Sequence, residues 1–434
     1  MTNGVNVREL ILQVLLEVTR DGEYSHIAIK NTLDKYQYLE KQERSFFTRV
    51  CEGTLENMIL IDYIINQFSK VKVNKMKPVI RCILRSSVYE MKYMDSVPVS
   101  ATCNEAVKLA QKKGFHNLKG FVNGVLRNIS RNLENISMPD KEKEPITWLS
   151  VTYSVPEWLV EKWKNLYEVP QLEEIFQAFL EKSATSIRVN TEATTKEALI
   201  KELEAEQIIV TENEEIPDAL YIEGYDFLAG LPAFAEGKFY VQDVSSMLVS
   251  LWAKPKAGAQ VLDVCAAPGG KSIHMAELLH GTGMVEARDL TEYKVSLIEE
   301  NIERCGLKNI CAKQADARIL EEEKNGTMDI VIADLPCSGL GVIGKKPDIK
   351  YKMTEEKCQE LAELQREILH TVQHYVKAGG VLMYSTCTIN PQENEDNVRV
   401  FLKEHPEFVL ERQQQILPKK GKNDGFFLAR LVRS

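Results

Sequence analysis

Along the first third of the chain, apolar positions recur every three to four residues. Val7, Leu10, Ile11, Val14 and Leu15 share one face, as do Ile59, Tyr63, Ile64 and Phe68. That is the period of an amphipathic helix. Pro78 opens a further periodic segment, Val79 to Met91, at a position that a first helical turn accepts. Val99-Ser100-Ala101 leads into Asn104 to Lys112, and Phe121 to Ile129 forms another helix, followed by Arg131. Residues 5–131 are therefore predicted to be an all-α bundle. Asn132 to Pro145 is polar, charged and proline-containing, the composition of a linker. Residues 146–180 read as helical again, with Trp148, Trp158 and Trp163 as packing anchors.

The period then changes. Thr185 to Asn190 alternates like a strand, Thr195 to Glu206 is helical and Gln207 to Thr211 is strand-like, which predicts a small α/β subdomain over residues 180–240. From residue 260 onward the two grammars alternate. Strands are predicted at Gln260–Val264, Gly283–Ala287, Ile310–Gln314, Met328–Ala333 and Val381–Tyr384, with helices at Lys271–Leu279, Glu292–Cys305, Glu355–Val376 and Gln392–Glu404. Gly379-Gly380 is expected to separate the long helix from its following strand, and Phe426 to Val432 to close a sheet edge. Such alternation implies a mostly parallel sheet covered on both faces. The expected division is 1–135 helical, 146–240 helical and α+β, and 241–434 α/β.

Composition narrows the setting. A chain of 434 residues exceeds one ordinary core. Its 44% hydrophobic and 27% charged content fits a soluble globular protein. No stretch approaches the ~18 apolar residues of a membrane span. Met1 to Leu16 carries Arg8 and Glu9 without a signal-peptide pattern, so a cytoplasmic location is expected. The nine cysteines are odd in number and form no Cys-x-x-Cys pair, which argues against a disulfide framework or a structural zinc site; no metal is expected. The net charge is -9, yet residues 1–150 carry 22 Lys+Arg against 17 Asp+Glu, a balance of +5 that leaves -14 for the remainder. A basic module on an acidic body suggests a polyanionic partner for the module.

Five strand ends carry the chemistry. Val261 to Val264 runs into Cys265, Ala266, Ala267, Pro268, Gly269, Gly270 and Lys271, a glycine-rich turn opening a helix. In open α/β sheets ligands bind outside the carboxyl ends of the strands. The loop is neither Gly-x-Gly-x-x-Gly nor a phosphate-binding loop, although Gly269-Gly270-Lys271-Ser272 resembles the end of the latter and keeps ATP as an alternative. Asp289, after the second strand, suits the hydroxyls of a ribose; Asp316-Ala317, after the third, suits an adenine amine. Loop, acid and acid in order imply an adenosine cofactor. Asp334-Leu335-Pro336-Cys337-Ser338-Gly339 and Ser385-Thr386-Cys387-Thr388 then place thiols at two further strand ends. A nucleotide-type loop beside two such thiols points to a sulfur nucleophile and a methyl donor. Residue physics alone does not rank Cys337 against Cys387. Lys271 is a cation able to lower the pKa of a neighbouring thiol.

These motifs carry a resemblance to the RNA (cytosine-5)-methyltransferases of the NOL1/NOP2/Sun (Fmu) family, which are Rossmann-like S-adenosylmethionine enzymes. It rests on Asp263 to Lys271, Asp289-Leu290 with Lys294, Asp316-Ala317, Asp334 to Gly339, Lys346 to Tyr351, Ser385-Thr386-Cys387 with Glu393-Asn394, Arg188-Val189-Asn190, Gln242-Asp243 with Ser245-Ser246, and Asp424 to Phe427. The N-terminal segment, including Phe121 to Arg127, resembles the NusB-like RNA-binding domain, an order of domains found in bacterial members that act on 16S rRNA. Leu335 stands where the family often has Ala, and Gly344 where it often has a basic residue.

The resemblance implies an all-α NusB-like bundle, a small α/β subdomain that contacts RNA, and a Rossmann-like α/β methyltransferase domain. It implies that Cys387 adds to carbon 6 of cytosine, making carbon 5 enamine-like, and that Cys337 assists release of the product. Asp334 would hold the N3/N4 edge of the base beside the cofactor. S-adenosyl-L-methionine would lie against the loop from Cys265 to Lys271, with Cys265 contributing backbone, and against Asp289, Lys294, Asp316 and Asp334. The target base must leave its stack, so RNA is read at an unpaired position. Candidate RNA contacts are Arg127, Arg188, Asn190, Lys346 and Lys350. The implied partner is 16S ribosomal RNA, and the enzyme is expected to be a monomer. Methylation of another RNA such as tRNA, and a non-catalytic rRNA-binding assembly factor, are the alternatives.

Overall fold

The computed structural model describes residues 5–181 and 184–434. Residues 1–4 and 182–183, which fall in the expected 1–135 and 146–240 segments, lie outside the described residues. The chain divides into two compact units, Met1–Leu180 with Ile343–Lys352, and Glu181–Val342 with Met353–Ser434.

The first unit is helical. Its helices run Val7–Thr19, Ser25–Lys35, Lys41–Glu56, Met58–Phe68, Pro78–Tyr93, Val99–Lys112 and Lys119–Asn132, then Pro145–Tyr153, Glu157–Lys164 and Val169–Leu180. The periodic apolar positions of the sequence become one core that includes Leu10, Ile11, Val14, Leu15, Ile61, Ile64, Val88 and Leu126. Pro78 stands in the first helical turn, where its missing N–H costs nothing. The helices after residue 145 group with this bundle rather than with the sheet that follows. The reason is local. Ser154, in the left-handed conformation, places its Oγ to accept from the N–H groups of Ile59 at 2.9 Å and Leu60 at 3.2 Å. Those are donors in the first turn of Met58–Phe68, which have no partner within their own helix. Trp163 then packs on Phe176 and Phe179.

The segment Ile343–Lys352 completes the unit. Asp348 accepts from the N–H and Oγ of Ser25. Lys350 Nζ donates to the carbonyl of Glu56 at 2.8 Å and the Tyr351 hydroxyl to that of Leu55 at 2.9 Å. Both acceptors lie in the last turn of Lys41–Glu56, where helix carbonyls lack internal donors.

The second unit opens with a small antiparallel sheet of β1 (Thr185–Val189), β2 (Ile209–Glu212), β3 (Ala219–Glu223) and β4 (Phe239–Val241), in the order β2-β3-β1-β4. Leu199 and Leu203 of helix Lys196–Ala205 pack on Ile187, Leu220 and Ile222. Sequence periodicity found only β1 and β2. β4 has only three residues, and β3 opens as an unbroken apolar run, Ala219 to Ile222, with no alternation to mark it; their antiparallel pairing makes the layer α+β.

The large sheet contains β5 (Gln260–Asp263), β6 (Met284–Asp289), β7 (Ile310–Gln314), β8 (Met328–Asp334), β9 (Val376–Thr386), β10 (Phe408–Ile416) and β11 (Phe426–Arg433), ordered β10-β11-β9-β8-β5-β6-β7. It is parallel from β7 to β9, and β11 and β10 add antiparallel. Neighbouring residues on one strand fall into different cores: Val261, Ile332 and Met383 pack with Ile273 and Ile298, whereas Leu262, Ala333 and Tyr384 pack with Ile368, Leu369 and Phe401. Both faces are thus buried, as a parallel sheet requires. Gly379 and Gly380 are not the expected break. The long helix ends at Val372, and both glycines lie inside β9, next to a register shift on β8. The chain passes from β5 to β6 and β7 on one side and returns to β8 on the other, so the switch in strand order falls at the carboxyl ends of β5 and β8.

Candidate active site

The parallel register of β8 and β9 decides which residues meet. Asp334 is paired with Ser385, so Cys337, three residues on, and Cys387, two residues on, leave adjacent strands side by side. Their sulfurs are 3.3 Å apart. Lys271, in the first turn of helix Gly270–Leu278, places Nζ 2.7 Å from Asp334 Oδ2, and Ser385 Oγ donates to Asp334 Oδ1 at 2.6 Å. Burial pulls the Lys271 ammonium down, but the Asp334 carboxylate, joined by Asp263 and Cys387, holds the lysine above its ordinary value. The adjoining Cys387 sulfur, and then burial, push the Cys337 thiol well up.

Beneath the thiols lies a buried polar frame. Glu393 accepts from Ser338 N–H at 2.8 Å, Ser338 Oγ at 2.5 Å, Asn390 Nδ2 at 2.9 Å and Gln365 Nε2 at 3.1 Å. Ser338 Oγ also lies 2.9 Å from Thr388 Oγ1. The residue after each cysteine is therefore tied to the other. Gln365 donates to the carbonyl of Pro336 at 2.8 Å. The Cys387 carbonyl accepts from Gly341 N–H at 3.0 Å, and a Cβ at Gly341 would collide with the Gly425 carbonyl. Glu393, Gln365, Ser338 and Thr388 were not singled out as site residues from the sequence.

The loop after β5 ends in Gly269 at φ +109°, a conformation that disfavours other residues. A Cβ on Gly270 would press on the Tyr240 ring at 3.2 Å. Asp289 accepts from the N–H groups of Ala267 at 3.0 Å and Leu290 at 2.8 Å, and pairs with Lys294 at 3.0 Å. Asp316 is ion-paired with Arg318. Burial, then Asp289, pushes the Cys265 thiol up, in keeping with an unreactive sulfur. Asp263, fully buried, accepts from Ser272 Oγ at 2.6 Å through one oxygen, and its Oδ1 has no partner among the described residues. The loop above it carries no bulky side chain and turns through Gly269 and Gly270, which fits a ligand that approaches the backbone closely.

Burial pushes Asp263 up to about 7 from 3.8. Folding then favours the protonated form. The stability it lends is fully present below pH 3.8 and is lost as pH rises through about 7. Urea midpoints of wild type should therefore fall relative to those of Asp263→Asn across that window. Parallel curves would show that the group titrates normally.

Three of the candidate RNA contacts are placed otherwise than the sequence suggested. Arg188 is buried, with its guanidinium bidentate to Glu277 at 3.0 Å and also bonded to Gln242. Stripping one partner from such a pair costs about 3–5 kcal/mol, so the charge serves the fold. Asn190 is buried and donates to the carbonyls of Gly237 and Cys305. Lys350 is buried on Glu56, and burial lowers it to about 7. Arg127 is exposed, its Nε donating to Asn123, and Lys346 is half-buried.

Comparison with known proteins adds the family. A family model described as 16S rRNA methyltransferase RsmB/F matches residues 250–432, the NusB family matches 5–131, and an RsmF/B-like ferredoxin-like domain matches 155–226. A Bacillus subtilis protein named probable ribosomal RNA small subunit methyltransferase B is 37% identical over 98% of both chains. The chain belongs to the ribosomal RNA small subunit methyltransferase B family. A Synechocystis relative of the same name is 30% identical over 99% of this chain and 100% of its own. The crystal structure of PH0851 superposes with a TM-score of 0.84, at 29% identity over 99% of both chains. That of NSun6 from Pyrococcus horikoshii with SFG reaches 0.58, at 26% identity over 64% of this chain and 98% of its own. Membership of the methyltransferase B family makes the protein an RNA methyltransferase, with the helical NusB-like bundle and Rossmann-like domain that the sequence implied. No helix among the described residues is long and apolar enough to cross a membrane.

Proposed function

We propose that this enzyme methylates carbon 5 of a cytosine in 16S ribosomal RNA through a covalent adduct with Cys387. The observation that carries the reading is the pair of thiols 3.3 Å apart at the ends of adjacent strands, beside Lys271 and Asp334. S-adenosylmethionine, when bound, supplies an electrophilic methyl carbon; the crystallisation of a relative with SFG, an analogue of it, supports that choice. The loop from Cys265 to Lys271, with Asp289, Lys294 and Asp316, would hold it.

The protein's own part is nucleophile, base and orientation. The Cys387 sulfur adds to carbon 6, and the displaced π electrons gather at carbon 5, which takes the methyl group. Asp334 faces the base edge, oriented by Ser385 and Lys271. Carbon 5 must then lose its proton so that the double bond re-forms and the Cys387 thiolate leaves. Cys337 is held protonated chiefly by the Cys387 sulfur beside it. Once that sulfur is bonded to carbon, its contribution is removed while burial remains, so Cys337 can release its proton to solvent and, as the thiolate, take the proton from carbon 5. The basic face of the bundle, with Arg127, and the half-buried Lys346 are the RNA contacts that this reading retains.

Protein-free 16S rRNA, isotopically labelled S-adenosylmethionine and bisulfite sequencing test the assignment. One protected cytosine, absent from untreated RNA, is expected. Label transferred to tRNA alone, or a product at another atom, would overturn the substrate or the position; no transfer to any RNA would favour the assembly-factor reading.

A further inference from the structure

At the far end of β9 from Cys387, two helices end together. Glu355–Val372 brings His370, and Glu395–Glu404 brings Glu404 with His405 as its C-terminal cap. Val376 and Ser385, near the two ends of β9, pair with Met328 and Asp334 of β8, roughly 20 Å apart at ~3.3 Å per residue, so this place is no part of the methylation site.

We propose that His370, Glu404 and His405 bind a divalent d-block cation, zinc above all. His370 Nδ1 and His405 Nε2 are 3.2 Å apart, and His370, Glu404 and His405 each offer a ligand atom within 4.8 Å of the others. A tetrahedral ion about 2.0–2.1 Å from each of two imidazole nitrogens sets those nitrogens roughly 3.3 Å apart. His405 is the fixed ligand. It is buried at 6% exposure, its ring lies 4.7 Å from that of Phe401, and its other nitrogen, Nδ1, faces Glu407 at 3.6 Å. A carboxylate behind a histidine orients the ring and raises its basicity toward a metal. His370 and Glu404 are exposed, which leaves room for water to complete the shell. Both helices present their carboxyl ends here, where the partial negative charge of terminal carbonyls favours a cation. Two imidazoles select zinc, nickel, copper or cobalt over magnesium or calcium. Without the ion, one ring donates an N–H to the other. The expectation of no metal rested on the missing Cys-x-x-Cys pairs; His370 and His405 lie too far apart in sequence to be read as a motif.

The test must separate this site from the thiol pair, which zinc also favours. Untagged, chelator-stripped Cys337→Ala/Cys387→Ala protein would be titrated with zinc by calorimetry and with cobalt by absorption. One equivalent bound, with affinity at least tenfold weaker in His370→Ala and in His405→Ala, is the expected result. The exposed His370 guards against misfolding in the His405 variant. Cobalt should give a tetrahedral spectrum without thiolate charge-transfer bands. Absence of binding in the thiol-free background, or binding indifferent to both histidines, would overturn the site.

Discussion

Replacing Cys387 with alanine is expected to lower methyl transfer by about 10³-fold or more, while replacing Cys337 should instead trap the enzyme on its RNA. Both follow from the proposed roles, in which the family resemblance makes Cys387 the nucleophile and Cys337 the group that assists release. Without Cys387 no sulfur is left to add to carbon 6 in the proposed step, and carbon 5 stays unreactive. Without Cys337 the addition and the methyl transfer proceed, but the proton on carbon 5 has no acceptor and the sulfur cannot leave. Cys337→Ala incubated with rRNA and S-adenosylmethionine should give an adduct that survives denaturing electrophoresis. The adduct should vanish in the double variant. An adduct formed by Cys387→Ala and absent from Cys337→Ala would exchange the two roles.

Glu393→Ala should cost about 3–5 kcal/mol and lower the unfolding temperature by roughly 10 °C. The acid is fully buried and receives four hydrogen bonds from three residues. Its removal strands the N–H of Ser338 and the amides of Asn390 and Gln365 without water to replace it. Glu393→Gln keeps an acceptor and should lose less. Adduct yield gives a second readout, because loosening Ser338 and Thr388 frees both thiols from their common frame. A variant that melts earlier yet forms adduct at the wild-type rate would confine Glu393 to stability.

The readable parts of this chain were those whose information is local. Helices of the first unit showed their period, and the parallel strands showed themselves as short apolar runs between helices. The thiols stood out because each followed such a run. Their approach to 3.3 Å could not be read, since it depends on the pairing of Asp334 with Ser385, a non-local fact. Gln365 offered a signal that went unused. It occupies a position on the same buried stripe as Cys358, Ala362, Leu369 and Val372, and a polar side chain there demands partners. β4 was missed for shortness, β3 because Ala219 to Ile222 is apolar without alternation, and β10 because its edge position leaves Glu411, Arg412, Gln413 and Gln414 exposed and its pattern polar. The motif-borne Arg188, Asn190 and Lys350 misled because a polar residue in a functional motif is as well suited to holding backbone and acids in place as to meeting phosphate.

The detour of Ile343–Lys352 into the helical unit has a consequence for how the protein is born. Carbonyls at the end of helix Lys41–Glu56 wait for Lys350 and Tyr351, and Ser25 waits for Asp348. Domains generally fold in order of synthesis. Here the amino-terminal one cannot finish until residue 352 of 434 has cleared the ribosome. A nascent chain arrested before that point should be more open to protease in its first 180 residues than the same residues in the released protein, and a gene cut at residue 180 should yield a bundle that gains order when a peptide spanning 343–352 is supplied.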